Sequence, residues 1–229
     1  MAKTLKLYYD LMSQPSRALY IFLEKTQIPY ERCPTSLAKG QHMTDEYKAI
    51  NRFQKVPCIV DKGLHLAESV AILRYLAREY KFPEHWYPSD SRKRARVDEY
   101  MEWQHHNTRA ACALYFRYMW LQPKLTGAKI NPETAEKFKG QMEACLDFIE
   151  QEYLGKENKF LTSNDISVAD LLAACEIEQP KIAGYDPCAG RPNLAAWMAR
   201  VREATNPYYD EAHKLVYKIA PENVPKPKL

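Results

Sequence analysis

The order of strands and helices in the first third of the chain constrains its fold most. Leu5–Tyr9 is rich in strand-forming residues and alternates apolar with polar side chains at its start, so it predicts a strand. Pro15 suits the first turn of a helix, and an apolar helical face over 18–23 follows it before Pro29 ends the helix. Tyr30–Cys33 then predicts a second strand. A crossover of this length is right-handed and makes the two strands parallel neighbours in one sheet.

The next elements complete a small layered domain. The sequence predicts a short helix over Thr44–Ile50, and then strands at Val56–Val60 and Leu64–Leu66 on either side of a tight turn. An apolar helical run begins at Ala67. The order βαβ-α-ββα is that of a thioredoxin-like sheet with helices on both faces. We therefore assign residues 1–80 to an α/β thioredoxin-like N-terminal domain.

The rest of the chain is predicted to be helical. Residues 81–90 contain two prolines and few helix formers, which predicts a linker, and 91–220 form an all-α C-terminal domain before a flexible, proline-rich tail at 221–229. Ser167 and Asp170 have the spacing of a capping box at a helix start. Apolar periodicity predicts three helix faces, which comprise Phe138, Met142, Leu146, Ile149 and Tyr153; Leu194, Trp197, Met198 and Val201 after Pro192; and Tyr208, Ala212, Leu215, Val216 and Ile219.

Composition and charge exclude several classes of function. Hydrophobic residues make up 46% of the 229 positions, the balance of an ordinary globular protein. No run of 18 apolar residues exists, so we expect no membrane partner, and the first residues lack a signal-peptide core, which predicts a cytoplasmic protein. The net charge of +4 is small for a nucleic-acid binder. The basic run Arg92–Arg96 is followed by Asp98 and Glu99, so we interpret it as a solvated helix face.

Motifs for metals and nucleotides are missing from the sequence. The six cysteines include no Cys-x-x-Cys pair, and the six histidines include no His-Glu-x-x-His pair. The seven glycines form neither a phosphate-binding loop nor a Gly-x-Gly-x-x-Gly turn. We therefore expect no metal site and no nucleotide cofactor.

Three segments have residues suited to binding a small peptide-like anion. Asp10–Arg17 joins the first strand to the first helix, where free backbone N–H groups favour an anion; Ser13 could donate to a thiolate or carboxylate there, or serve only as a helix cap. A cis Val56–Pro57 bond would leave the Val56 backbone free to pair with an extended ligand, whereas a trans proline would only mark a strand edge. Glu68–Ser69 could supply a buried carboxylate for an ammonium and an amide for a carboxylate, or could simply cap a helix.

The ordered succession of these segments and others resembles a known family. The blocks are Ser13–Ala18, Lys39–His42, Lys55–Pro57, Glu68–Leu76, Ala95–Tyr100 and Trp103–His105, together with the capping box. Over roughly residues 4–220 the chain resembles the cytosolic glutathione S-transferases, and within them the theta class of animals. The resemblance implies the glutathione transferase fold and a homodimer. It also implies a detoxifying transferase with glutathione as co-substrate and no other cofactor.

The resemblance implies a reaction and its catalytic residue. Ser13 matches the catalytic serine, whose hydroxyl stabilises the glutathione thiolate for attack on small hydrophobic electrophiles: alkyl and arylalkyl halides, unsaturated carbonyls and, in a peroxidase reaction, organic hydroperoxides. A free thiol has a pKa of about 8.5, and lowering it by about 2 units makes the thiolate the majority species near pH 7. A hydrogen-bond donor, a helix N-terminus and a cationic setting all favour the charged form.

Six further residues match glutathione-binding positions in the resemblance, namely His42, Lys55, Val56, Pro57, Glu68 and Ser69. The first two lie near the glycyl end of the tripeptide. The Val-Pro pair, with a cis bond, pairs with the cysteinyl backbone. The Glu-Ser pair holds the γ-glutamyl ammonium and carboxylate.

The resemblance also implies an electrophile side, formed by His106, Asn107, Thr108 and Arg109. Arg109 could act as a cation for a leaving group or an anionic substrate, or it could merely pair with a surface acid. Since little sequence follows Ile219, we expect a short C-terminal cover and an open pocket. Two alternatives share this fold: a thiol reductase, which needs a cysteine where Ser13 stands, and a non-catalytic binder of hydrophobic ligands.

Overall fold

A mixed four-stranded sheet organises the first part of the protein. The computed structural model describes residues 4–155, 157–222 and 224–225, and the chain divides into two units, Met1–Glu84 and His85–Leu229. In the first unit the strands β1 (Leu5–Tyr9), β2 (Tyr30–Pro34), β3 (Cys58–Asp61) and β4 (Leu64–Ala67) lie in the order β2-β1-β3-β4. β1 runs parallel to β2 and antiparallel to β3, which pairs with β4. The parallel pair confirms the predicted strand–helix–strand opening.

Three helices accompany this sheet: α1 (Gln14–Thr26), α2 (Asp45–Ile50) and α3 (Ser69–Glu79). α1 is buried from Gln14 through Leu23 and packs against α3. Thr44 caps α2, because its hydroxyl accepts a hydrogen bond from the Tyr47 amide at 3.2 Å. The helix predicted at Thr44–Ile50 is thus confirmed, with the threonine as its cap.

Two predicted boundaries near β3 and β4 are wrong by two residues. β3 begins at Cys58 rather than Val56, since Pro57 has no N–H to donate to a neighbouring strand. Ala67 belongs to β4, where it pairs with Cys58, and α3 begins only at Ser69. Apolar periodicity does not separate the end of a strand from the start of the helix that follows it.

Within the described residues of the second unit, helices are the regular secondary structure, and irregular segments connect them. Its helices are α4 (Ser91–Trp103), α5 (Thr108–Phe116), α6 (Gln122–Thr126), α7 (Pro132–Phe148), α8 (Val168–Glu178), α9 (Pro192–Thr205) and α10 (Tyr208–Ile219). The helix face predicted as far as Tyr153 is α-helical only to Phe148 and continues as a π-helical turn over Ile149–Tyr153. In the described part of the chain, no helix has the length and apolar character needed to cross a bilayer.

The predicted face of α10 is partly wrong. Ala212 and Val216 are buried as predicted, but Tyr208, Leu215 and Ile219 are not, and Tyr209, His213 and Tyr217 complete the buried face. The Nδ1 atom of the buried histidine lies 2.8 Å from the Tyr209 carbonyl, and the two rings stack with centroids 4.1 Å apart. Apolar periodicity does not count a histidine among the core residues, so the predicted buried face is rotated relative to the observed one.

The capping box at the start of α8 is confirmed, and its carboxylate does more than cap. The Asp170 carboxylate accepts hydrogen bonds from the Ser167 amide at 2.8 Å and the Ser167 hydroxyl at 3.0 Å. It also accepts from the Leu161 amide and the Trp197 indole N–H, both at 2.9 Å. Burial raises the pKa of this carboxyl although all four donors favour its ionised form. One side chain therefore joins the preceding loop, α8 and α9.

The predicted tail over 221–229 lies only partly within the described residues. Val224 is buried, and its amide donates to the Pro221 carbonyl at 3.2 Å. Residues 223 and 226–229 lie outside the described part of the chain.

Candidate active site

Ser13 lies between β1 and α1, beside the segment that contains Val56. Its hydroxyl donates a hydrogen bond to the Val56 carbonyl at 3.3 Å. Its backbone has the extended conformation of an N-cap, with φ −82° and ψ 123°, yet within the described residues its side chain makes no capping hydrogen bond. Ser13 thus occupies the cap position without using its hydroxyl as a cap. The hydroxyl is directed instead toward a second predicted site residue.

The loop between β1 and α1 is held by two charged side chains to which the sequence analysis assigned no role. The Asp10 carboxylate accepts hydrogen bonds from the Met12 and Leu37 amides, both at 2.8 Å. The fully buried Arg17 guanidinium donates to the Leu11 carbonyl at 2.9 Å. An arginine inside an apolar helical run is a signal that could have identified this contact, since arginine is rarely buried without a partner.

The peptide bond between Val56 and Pro57 is cis, as predicted. Pro57 is buried and Val56 is half-buried. The carbonyl of Lys55 accepts hydrogen bonds from the Tyr47 hydroxyl and the Asn51 side-chain amide, both at 2.7 Å, whereas the Lys55 side chain is exposed. The backbone of this segment is therefore ordered by buried side chains, while its one cation points into solvent.

Glu68 lies at the turn from β4 into α3. Its backbone has φ 69° and ψ 109°, a conformation that side-chain-bearing residues rarely adopt. The expected buried carboxylate is a wrong prediction, because Glu68 is exposed. Ser69 is the first residue of α3, so its N–H is among the amides that have no partner within the helix.

A cavity of about 500 Å³ lies next to this turn. It is lined by the end of α2, the segment after it, β4 and the start of α3, and its polar lining includes Arg52, His65 and Glu68. Of the predicted glutathione-binding residues in the described chain, Glu68 alone lines it. The cavity is therefore not centred on the Ser13 hydroxyl.

His42 is part of a short 3₁₀ turn, Gln41–Met43, which follows Gly40 at φ 68°. The imidazole is half-buried, and its Nδ1 atom is buried without a hydrogen-bond partner among the described residues. A buried polar atom of this kind costs free energy until something binds it. No hydrogen bond joins His42 to the other predicted site residues within the described chain.

The four residues predicted for the electrophile side have different environments in the second unit. His106 is exposed, and the Asn107 side chain donates to the Trp103 carbonyl at 2.7 Å. Thr108 is fully buried, and its hydroxyl lies 3.1 Å from the Tyr100 hydroxyl. Its prediction as a lining residue is therefore wrong: in this structure the side chain belongs to the core of the helical unit.

Arg109 forms an ion pair with Glu176. The carboxylate side chain is only 2% exposed, while that of Arg109 is 39% exposed. The partner is thus a buried acid of α8 rather than the surface acid that one alternative proposed. The guanidinium neutralises a charge that would otherwise lie unpaired in the interior.

Two family models match the chain. The model for the glutathione S-transferase N-terminal domain matches residues 3–78, and that for the glutathione S-transferase C-terminal domain matches residues 111–204. The chain belongs to the glutathione S-transferase family.

Relatives at high identity associate this glutathione S-transferase with the theta class. Glutathione S-transferase theta-3 of Mus musculus is 45% identical over 218 residues, which cover 93% of this chain and 89% of the relative. The solved apo form of human glutathione-S-transferase T1-1 has a TM-score of 0.90 and 42% identity, covering 94% of this chain and 90% of its own. A human theta-class transferase in complex with the glutathione conjugate of 1-menaphthyl sulfate has a TM-score of 0.86 and 38% identity. The match covers 99% of this chain and 94% of the human chain.

The comparisons confirm the predicted fold class and the resemblance on which it rested. An α/β thioredoxin-like domain followed by an all-α domain is the fold of this glutathione S-transferase, and the chain is an enzyme of the transferase class. The roles of individual side chains stay predictions.

Several cysteines of this glutathione S-transferase are buried or have a raised pKa. Cys58, Cys112 and Cys175 are buried. Burial raises the pKa of Cys58, Cys145 and Cys188 to about 11. Among the described residues no group of three or more His, Cys, Asp or Glu side chains is arranged to hold a metal ion.

Proposed function

We propose that this glutathione S-transferase ionises the thiol of glutathione at Ser13 and adds the thiolate to small hydrophobic electrophiles in detoxification. The substrate classes we expect are alkyl and arylalkyl halides and unsaturated carbonyls, with peroxidase activity on organic hydroperoxides. The observation that carries this proposal is the Ser13 hydroxyl, which lies 3.3 Å from the Val56 carbonyl and makes no capping bond within the described chain.

Ionisation of the thiol is favoured by the position of Ser13. Its hydroxyl can rotate from the Val56 carbonyl to donate to a sulfur at the N-terminus of α1. The first-turn amides and the helix dipole add positive potential there, and a donor to the charged form lowers a thiol pKa. The thiol proton passes to solvent. With a halide, the thiolate sulfur forms a bond to the electrophilic carbon and the halide departs with the electron pair of the broken bond; with an unsaturated carbonyl, the sulfur adds to the β-carbon and the resulting enolate takes a proton from solvent. With a hydroperoxide, the sulfur attacks oxygen, the O–O bond breaks and the alcohol leaves after protonation, and a second glutathione converts the resulting sulfenic acid to glutathione disulfide and water. Glutathione supplies the nucleophile as co-substrate.

The binding roles follow the polarity of the tripeptide. The exposed carboxylate of Glu68 and the N–H of Ser69 suit the γ-glutamyl ammonium and carboxylate. The backbone of Val56, before the cis Pro57, suits the cysteinyl peptide groups. His42, with its unpartnered Nδ1 among the described residues, suits the glycyl carboxylate.

The remaining parts of the proposal concern Lys55, the electrophile side and the assembly. Lys55 supports the glycyl end only as an exposed cation. His106, Asn107 and Arg109 are retained for the electrophile side, and the homodimer and the cytoplasmic location are proposed from family membership. A solved theta-class relative holds a glutathione conjugate of an arylalkyl sulfate, which supports electrophiles of that class. Sedimentation at micromolar concentration tests the dimer.

The deciding experiment compares Ser13→Ala with Ser16→Ala. Ser16 lies on the same helix, fully buried, and its hydroxyl has no hydrogen-bond partner among the described residues, so its removal is a matched control. We expect Ser13→Ala to raise the pKa of bound glutathione by about 1–2 units, the value of one hydrogen bond to a charged group, and to cut turnover near pH 6.5 at least about tenfold. Thiolate absorbance and steady-state kinetics with several electrophile classes measure both effects.

Two results would count against the proposal. Full activity of Ser13→Ala between about pH 6 and 8 would reject the serine as the thiolate donor. Glutathione binding by the wild-type chain without turnover of any electrophile class would favour the non-catalytic binder instead.

A further inference from the structure

Two buried side chains converge on one backbone carbonyl beside the site. Tyr47, on α2, and Asn51, directly after it, are each 4% exposed. The Tyr47 hydroxyl and the Asn51 side-chain amide each donate to the Lys55 carbonyl oxygen at 2.7 Å. The carbonyl oxygen has two lone pairs, and these two donors satisfy both.

These contacts fix more than the carbonyl. The C=O of Lys55 and the N–H of Val56 belong to one planar peptide unit, in which they point in opposite directions. Anchoring the oxygen with two donors therefore sets the direction of the N–H. The proposed function assigns the Val56 backbone, which includes this N–H, to the cysteinyl backbone of glutathione.

The segment needs this support because the sheet does not supply it. β3 begins at Cys58, so residues 54–56 lie before the strand and outside its pairing. Gln54 has φ 51°, a left-handed conformation that a glutamine does not favour. The Asn51 side-chain oxygen also accepts a hydrogen bond from the Phe53 amide at 3.0 Å, and the Asn51 backbone carbonyl accepts one from the Gln54 amide at 2.9 Å. Hydrogen bonds to and from Asn51, together with the Tyr47 hydroxyl, thus hold the path of this loop.

We infer that Tyr47 and Asn51 are positioning residues for glutathione, which hold the Val56 N–H in the direction that pairs with the cysteinyl backbone. This inference rests on the proposed function, since it assigns a purpose to the orientation of a group that would touch the ligand. Neither side chain takes part in ionising the thiol.

The test uses Tyr47→Phe, which deletes one donor, and Asn51→Asp, which keeps the acceptor for Phe53 but replaces the donor to Lys55 with an oxygen. The matched control is Tyr75→Phe, which deletes a tyrosine hydroxyl bonded at 2.8 Å to Asp61 in the same unit. Calorimetry measures the dissociation constants of glutathione and of S-methylglutathione, which has no ionisable thiol. Thermal unfolding of each variant is measured alongside.

We expect Tyr47→Phe to weaken both ligands about fivefold, the value of one neutral hydrogen bond, and Asn51→Asp to weaken both more. The pKa of bound glutathione and kcat at saturating glutathione should stay near wild type. Tyr75→Phe should lower the unfolding temperature without changing either dissociation constant.

Three results would overturn the inference. Wild-type dissociation constants in both Tyr47→Phe and Asn51→Asp, together with lowered unfolding temperatures, would show a purely structural role. A raised pKa of bound glutathione in Tyr47→Phe would mean that the contacts act through Ser13. Absence of glutathione binding in the wild-type chain would overturn the proposed function and this inference together, whereas the first two results leave the proposed function intact.

Discussion

The guanidinium of Arg109 neutralises the buried carboxylate of Glu176. We expect Arg109→Gln to lower the free energy of unfolding by about 1–3 kcal/mol, because the buried Glu176 carboxylate loses its counter-ion. The loss is limited because Arg109 is partly exposed and solvent already screens the pair. Denaturant unfolding measures this loss.

The double variant Arg109→Gln/Glu176→Gln separates stability from chemistry. Removing both charges should restore most of the stability, since a neutral pair needs no compensation. Full turnover in the double variant would mean that Arg109 has no role as a cation for the leaving group. Low turnover in the double variant, despite its restored stability, would support the role of Arg109 on the electrophile side.

Replacing Glu68 with glycine should stabilise the fold and weaken glutathione binding at once. Its φ of 69° favours glycine, so we expect a gain of about 1 kcal/mol in the free energy of unfolding. Loss of an exposed carboxylate should raise KM for glutathione about fivefold. The control is Gln27→Gly, which relieves a φ of 56° at the end of α1 and should stabilise the fold with KM unchanged. An unchanged KM in Glu68→Gly would remove this carboxylate from the binding site.

The Asp170 carboxylate should be among the most sensitive positions for stability. Asp170→Asn places an NH₂ group against two of the four donors, so we expect a loss of about 3 kcal/mol. Asp165→Asn is the matched control, because that residue is exposed and its carboxylate makes no hydrogen bond in the described chain. Equal unfolding midpoints for the two variants would contradict the prediction.

Cys58, Cys145 and Cys188 should react slowly in the folded protein. A pKa of about 11 for Cys58, Cys145 and Cys188 leaves roughly one thiol in 10⁴ ionised at pH 7, and the reactive fraction should rise about tenfold per pH unit up to pH 10. A disulfide reagent that yields a coloured thiolate measures the rate, and all six thiols should react at once in denaturant. Rapid loss of activity on alkylation at pH 7 would indicate a reactive cysteine after all.

Local signals in the sequence were sufficient for much of the fold. The strand at Leu5–Tyr9, the helix after Pro15 and the capping box at Ser167 each depend on neighbouring residues, and all three are confirmed. The phase of α10 depended on burying His213, whose hydrogen bond and ring stacking involve its own helix but whose burial does not follow from its polarity. Hydropathy alone cannot anticipate a buried histidine.

Site residues that belong to a sequence motif could be predicted. Contacts in which a side chain binds a backbone group could not. Ser13 and Val56 were both selected, yet the sequence does not state that their atoms lie 3.3 Å apart. The Tyr47 and Asn51 contacts were missed because a side chain that binds a backbone carbonyl leaves no signature at the accepting residue. Exposure of Glu68 and burial of Thr108 depend on packing, which spacing along the chain does not report.

The sharing of one carboxylate by Leu161, Ser167 and Trp197 has a consequence for synthesis on the ribosome. A nascent chain that has emerged only as far as α8 lacks the indole N–H of Trp197. One oxygen of the Asp170 carboxylate must then accept a hydrogen bond from water in its place. We expect the helical half to remain open to chaperones and proteases until α9 has left the exit tunnel, and to close only then.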